Sequence, residues 1–180
     1  MSDSKTKEIL DNLHQLAKVA GPDTKVLFKK LKKKRPKTLD HIVQEAHQEV
    51  FEEIDCLECA NCCKTLGPRI TDVDIARLAK YLRIKPGKLI QQYMTIDEDG
   101  DYVFNVMPCP FLMPDNYCSV YDARPKACRE YPHTDQKRFY QVLDLSQKNV
   151  EICPAVYLIV ERIKEAFDGA YQKKQNRIDY

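Results

Sequence analysis

Cys56-Leu-Glu-Cys59-Ala-Asn-Cys62-Cys63 places four of the chain's eight cysteines within eight residues. The thiolate is the form of cysteine that binds metal, and two thiolates separated by two residues can grip one ion from a single tight turn. Asn61 and Gly67 are residues that tolerate the positive backbone angles such a turn needs. Vicinal Cys62 and Cys63 carry diverging side chains. They are expected to serve two neighbouring centres, or one as a ligand and the other as a supporting thiol.

Cys109, Cys118, Cys128 and Cys153 stand singly at wide intervals, and Cys109 and Cys153 are each followed by proline. A proline beside a ligand removes a backbone donor and stiffens the loop. All eight cysteines are therefore candidate metal ligands. They could fill two four-cysteine sites, or four could hold one cubane while the others are structural. The single cysteines lack the second Cys-x2-Cys knuckle of a zinc ribbon, and Cys-Pro also closes the bacterial ferredoxin run. An iron–sulfur cluster or iron is favoured on that ground, with zinc as the alternative. Arg124 and Arg129 are expected beside the cofactor, where their charge would offset clustered thiolates. Their plainer reading is an ion pair with Asp122 or Glu130.

Redox compartment decides how eight cysteines are read, because an exported chain would pair them whereas the cytosol keeps thiols reduced. The N-terminal Met-Ser-Asp-Ser-Lys-Thr-Lys-Glu contains no apolar signal region. The longest apolar run, from Ala155 to Val160, is too short to span a bilayer. A cytoplasmic protein with reduced thiols and no membrane partner is expected.

Net charge is only +2, but eight basic residues and no acidic one lie between Lys25 and Lys37, leaving 21 basic against 27 acidic residues elsewhere. Such a run is either a solvated helix face beside Val26, Leu27 and Leu31, or a polyanion-binding surface. The segment from Lys29 to Lys37 is the candidate for RNA, although no aromatic pattern is interleaved with it. Any protein partner is unspecified.

The elements that must position these residues are mostly helical. Ile9, Leu13, Leu16 and Ala20 recur at helical spacing, and Gly21-Pro22 is expected to end that helix. Asp23 can cap a second one through Leu31, with Pro36 stopping continuation through the basic run. A third, over about 39–54, carries Leu39, Ile42, Val43, Ala46, Val50 and Ile54 on one face and delivers the chain to Cys56. His41 and His47 are six residues apart, on roughly opposite faces, so they form no metal clip.

Thr71-Asp-Val-Asp74 resembles a capping box that starts another helix, and Pro86-Gly87 starts a short one through Met94. Tyr102, Phe104 and Val106 then alternate after the turn dipeptide Asp99-Gly100, which predicts one hairpin that returns Cys109 toward the first cysteines. Pro154 opens a last long helix with Val156, Ile159, Val160, Ile163, Phe167 and Ala170 along one stripe. The polar tail from Gln172 is expected to fray.

These residues together carry a resemblance. Cys56-x2-Cys-x2-Cys-Cys63, the helix start Ile70-Thr71-x2-Asp74-Ile75, Cys109-Pro-Phe-Leu112, Cys118-x-Val-Tyr121, Arg124-Pro-x2-Cys128-Arg129 and Tyr131-Pro132 resemble the CxxCxxCC (YkgJ-type) family of zinc- or iron-chelating cysteine-cluster domains. The likeness covers roughly residues 50 to 155. It implies metal chelation by the cysteines. The same signature occurs in flagellin lysine methylases, which look like larger iron–sulfur relatives, but this chain has no glycine-rich nucleotide loop. Pro132 is followed by His133 where relatives often carry an aromatic residue.

The expected fold is mainly α with one small antiparallel β-hairpin and irregular cysteine-rich metal-binding loops. An N-terminal helical arm with the basic run (1–38), a cysteine-cluster domain (39–171) and a polar tail (172–180) divide the chain. Two functions follow. One is a metal-binding protein with a redox or regulatory role. The other is an iron–sulfur enzyme with an open position beside an acid or base such as Glu130, Tyr131 or His133.

Overall fold

The computed structural model describes residues 5–175, with side chains through residue 168. In chain order its helices are α1 (Lys5–Lys34), α2 (Leu39–Glu53), α3 (Cys56–Cys59), α4 (Asn61–Thr65), α5 (Asp72–Leu82), α6 (Pro86–Tyr93), α7 (Lys126–Glu130), α8 (Leu143–Asn149) and α9 (Pro154–Gln175). One antiparallel hairpin pairs β1 (Met94–Ile96) with β2 (Tyr102–Phe104). The fold is thus mainly α with a small hairpin, as the sequence predicts. The chain divides into two compact units: a helical unit, from the residues up to Asp55 and those from Pro132 onward, and a cysteine unit, Cys56–Tyr131.

In the helical unit, α1, α2 and α9 pack around a shared core. Leu39, Val43, Ala46 and Val50 follow one another by four, three and four residues, so they line one face of α2, and all are buried. Facing stripes come from Ala17, Phe28 and Leu31 on α1 and from Val156, Ile159, Val160 and Ile163 on α9. Phe139 and Leu143 fill the same core, and Asp40 fixes the turn before them by accepting the backbone N–H groups of Arg138 (2.7 Å) and Phe139 (2.9 Å). Each fully buried large apolar side chain contributes about 1.5–3 kcal/mol.

The expected break at Gly21-Pro22 does not occur: α1 is one helix of 30 residues with Pro22 inside it. An interior proline costs about 3 kcal/mol, and one continuous buried stripe (Leu13, Ala17, Thr24, Phe28 and Leu31) outweighs that cost. The carbonyl of Ala20, two residues before the proline, accepts the Thr24 hydroxyl at 2.8 Å and the Lys164 ammonium at 3.2 Å. The helix also runs through most of the basic segment, to Lys34. There Arg35 turns left-handed (φ 43°) and Pro36 prevents a further turn. At the other end of the chain α9 begins at Pro154 as predicted and continues to Gln175. The side chain of Ala170 and the tail beyond Gln175 lie outside the described residues.

The cysteine unit is built from shorter pieces. The predicted capping box is present: Thr71 Oγ1 accepts the Asp74 N–H at 3.2 Å, and Asp74 accepts the Thr71 N–H at 3.0 Å. Within β1–β2, Met94 pairs with Phe104 and Ile96 with Tyr102. The loop is held by Asp97, whose carboxylate accepts the N–H groups of Asp99 (3.0 Å) and Asp101 (2.9 Å), with Gly100 at φ 83°. Ile70, Ile75, Leu78, Leu89, Met94, Phe104, Phe111 and Val120 form the core of this unit, and Cys109 and Cys118 pack against it.

Candidate metal centre

Two very short helices carry the first cysteines. α3 ends at Cys59, Ala60 takes the left-handed conformation (φ 47°), and α4 then presents Cys62 and Cys63. The positive angle therefore falls on Ala60. Asn61 is already helical, and Gly100 is the one glycine with a positive φ among the described residues. An alanine in this region costs about 1–2 kcal/mol. The turn is held in spite of that by Ala60 N–H donating to the Cys56 carbonyl (2.8 Å), Lys64 Nζ to the Cys59 carbonyl (3.0 Å) and Lys64 N–H to the Ala60 carbonyl (3.1 Å).

Cys62 and Cys63 do not diverge as expected. Their sulfurs stand 4.0 Å apart, close to the separation of about 3.8 Å for two sulfurs at 2.3 Å from one tetrahedral zinc. Adjacent helical positions point about 100° apart, and the side-chain rotamers close that angle.

The later cysteines reach the same place by backbone pairing. Cys109 donates its N–H to the Cys63 carbonyl at 2.8 Å, so the segment leaving the hairpin lies against α4. The chain then folds over itself: Leu112 bridges to Cys118, Met113 N–H donates to the Tyr117 carbonyl (2.8 Å), and Ser119 N–H donates to the Phe111 carbonyl (2.9 Å). Asn116, with the φ of 64° that asparagine tolerates, closes this turn and donates from its side chain to the Leu57 carbonyl at 2.6 Å. A 3₁₀ turn at Tyr121–Ala123 leads into α7 and Cys128.

Asp74 positions α7. Its buried carboxylate accepts the Lys126 N–H at 2.9 Å and pairs with the Arg77 guanidinium, which also donates to the carbonyls of Ala123 (3.3 Å) and Arg124 (2.7 Å). Burial alone would raise the pKa of this carboxyl. The donors from Thr71, Arg77 and Lys126 together outweigh it and hold the group below the usual range.

Cys63, Cys109, Cys118 and Cys128 lie within electrostatic reach of one another. Burial pushes the Cys109 thiol up to about 11 and Cys128 up to about 12, with the neighbouring sulfurs adding to both. Cys118 is raised for the same reasons, and Cys59 chiefly by burial. Cys63 moves the other way, to about 7. The Cys62 thiol is the main cause, against burial, and Arg124 and Lys64 add favourable charge. Among the described residues no three Cys, His, Asp or Glu side chains already stand close enough to hold one ion.

The groups that act on one another here are sulfurs and the cations Arg124 and Lys64. A set of this kind fits zinc, iron or an iron–sulfur cluster better than a hard cation that prefers oxygen.

Cys56 is exposed at the start of α3 and Cys59 is buried at its end. Cys153 belongs to the helical unit and packs partly against its core. Arg124 lies where its charge acts on Cys63, Cys118 and Cys128. Its guanidinium stacks 3.5 Å above the Tyr121 ring and donates to the Tyr121 carbonyl. Arg129 is exposed on α7. His133 lies in the helical unit and pairs with Gln136 at 2.9 Å. His47 is half-buried and bonded to Thr134 at 2.7 Å, whereas His41 is exposed beside Glu45. Sequence reasoning missed Lys64 and the Asp74–Arg77 pair. A cation directly after vicinal cysteines, and a capping-box acid followed three residues later by arginine, were the available signals.

Comparison with known proteins adds three findings. Residues 55–153 match the CxxCxxCC family model, described as "Putative zinc- or iron-chelating domain". An uncharacterized protein of Methanocaldococcus jannaschii is 30% identical over 86 residues, 46% of this chain and 46% of that protein, so the match spans about half of the relative. No solved structure matches the chain.

Proposed function

The chain belongs to the CxxCxxCC family, and from that premise we propose that it is a metal-binding protein whose centre is held by Cys63, Cys109, Cys118 and Cys128. The observation that carries this reading is that cysteines separated by up to 65 residues come within electrostatic reach of one another around the Cys109–Cys63 backbone bond. The cofactor we favour is an iron–sulfur cluster, with zinc as the alternative. When bound, a cluster supplies one-electron chemistry and zinc a structural cross-link.

The protein's own groups do the rest. Of these four thiols Cys63 is the one whose pKa is lowered, by the Cys62 thiol and by the charges of Arg124 and Lys64. Cys109, Cys118 and Cys128 keep their protons until a metal takes the proton's place, so binding releases protons and strengthens as pH rises. Arg124, fixed over Tyr121, offsets the negative charge that results.

Cys63→Ser and Cys128→Ser test the ligand set. Each is expected to reduce metal recovered per chain at least about tenfold. Full loading of both variants would contradict it.

A further inference from the structure

We propose that the exposed face of the last three turns of α1 binds the phosphodiester backbone of a nucleic acid, without reading its sequence. The proposal is independent of the metal centre. Lys29 and Lys33 are one turn apart, about 6 Å along the axis, and Lys30 and Lys34 repeat that spacing beside them. Lys25 precedes Lys29 by one turn on the same helix, and Lys37 follows in the turn beyond the helix end. At 100° per residue this face lies opposite the stripe of Thr24, Phe28 and Leu31 that α1 buries in its own unit.

All six lysines are exposed, and no ion pair among the described residues engages any of them. The two other cations of the run are occupied. Lys32 pairs with Asp144, and Arg35 lies 4.7 Å from the centre of the Tyr140 ring. No acidic residue lies between Lys25 and Lys37. Because α1 continues through Lys34, past the end near Leu31 that the sequence predicts, Lys25, Lys29, Lys30, Lys33 and Lys34 stand on one continuous helix.

Two features decide between polyanions. An amphipathic helix enters a lipid surface through its apolar face, and here that face is committed to the core, leaving Val26 as the one exposed large apolar residue of the segment. Lysine heads are point charges that contact phosphate, and the segment offers no aromatic ring on its exposed face for stacking on bases. Repeated phosphates on a flexible strand suit such a row.

The test measures fluorescence anisotropy of a labelled 30-nucleotide poly(U) RNA, and of a 30-base-pair DNA duplex, titrated with the full chain. Saturable binding to at least one is expected. With four to five phosphates neutralised on single-stranded RNA, affinity should fall about 50- to 130-fold between 50 and 200 mM salt. K29Q/K30Q/K33Q/K34Q should weaken binding at least about 30-fold at low salt and lower the salt slope by about 3. Lysine and glutamine have similar helix propensity, so the variant should keep its circular dichroism.

K18Q/K85Q/K88Q/K148Q removes the same charge from other exposed positions and should bind within about threefold of the parent. Equal losses in the two variants would overturn the proposal by reducing it to net charge. Absence of saturable binding to both nucleic acids, or tighter binding to phosphatidylserine vesicles than to either, would also overturn it.

Discussion

The two units of this chain are organised by different means. In the helical unit the periodic stripes of three long helices meet in one core, and Phe139, Leu143, Val156, Ile159 and Ile163 are all fully buried there. The cysteine unit has a smaller core. Its helices run from four to eleven residues and its strands are three residues long, and the segment from Cys109 to Cys128 is mostly irregular, held by turn hydrogen bonds and by the side chains of Asn116, Asp74 and Arg77. A domain that buries too little apolar surface needs another source of stability, and a bound metal is a common one. The helical unit thus has the larger apolar core, whereas in the cysteine unit Cys109 and Cys118 pack at the edge of a smaller one.

The largest expected effect is that of metal removal. Chelation of the loaded protein should increase hydrogen exchange throughout the peptides of 56–131 while leaving α2 and α9 protected, because binding energies of order 10 kcal/mol are involved. Equal loss of protection in both units would break the contrast. Next comes Phe139→Ala, which empties a fully buried site and should cost about 3–5 kcal/mol in denaturant unfolding of the helical unit, without changing metal content.

Asp74→Ala should cost about 2–3 kcal/mol in the cysteine unit, because it leaves Arg77 and the Lys126 N–H without their acceptor. The parent's pH dependence follows from the same group. A carboxyl held below its usual value adds stability that is complete above about pH 4 and is lost as pH falls through the folded-state value. Acid unfolding of the cysteine unit should therefore be shallower in Asp74→Asn than in the parent. The smallest effect separates the two arginines. Arg124→Gln should weaken metal affinity about 10- to 100-fold, measured by competition with a chelator, and Arg129→Gln should leave it unchanged.

Legibility followed the same division. Periodicity and caps located α2, α5, α6 and α9 because those helices bury one face and begin with recognisable chemistry, such as the Thr71–Asp74 box and Pro154. The hairpin and the return of Cys109 to Cys63 were legible from Asp99-Gly100 and the alternation after it. Pro22 misled, since a local helix breaker is overridden when a continuous stripe packs on both sides of it. Helix α8 gave little signal: it has no side-chain N-cap and a mixed polar sequence. Within the site, spacing marked the cysteines but not their convergence, which depends on the turn at Asn116 and on Asp74 holding the start of α7. Nothing in the sequence distinguished Arg124 from Arg129, because only the fold decides which of two cations five residues apart faces the sulfurs.

The most direct test of the central claim is an assay of iron, zinc and acid-labile sulfide per chain, with a visible spectrum, on protein purified without oxygen. The account predicts at least one centre per chain: iron with matching sulfide and broad brown absorption, or, under the zinc alternative, a colourless protein with stoichiometric zinc. A chain that is fully folded from 56 to 131 and contains neither metal would contradict it.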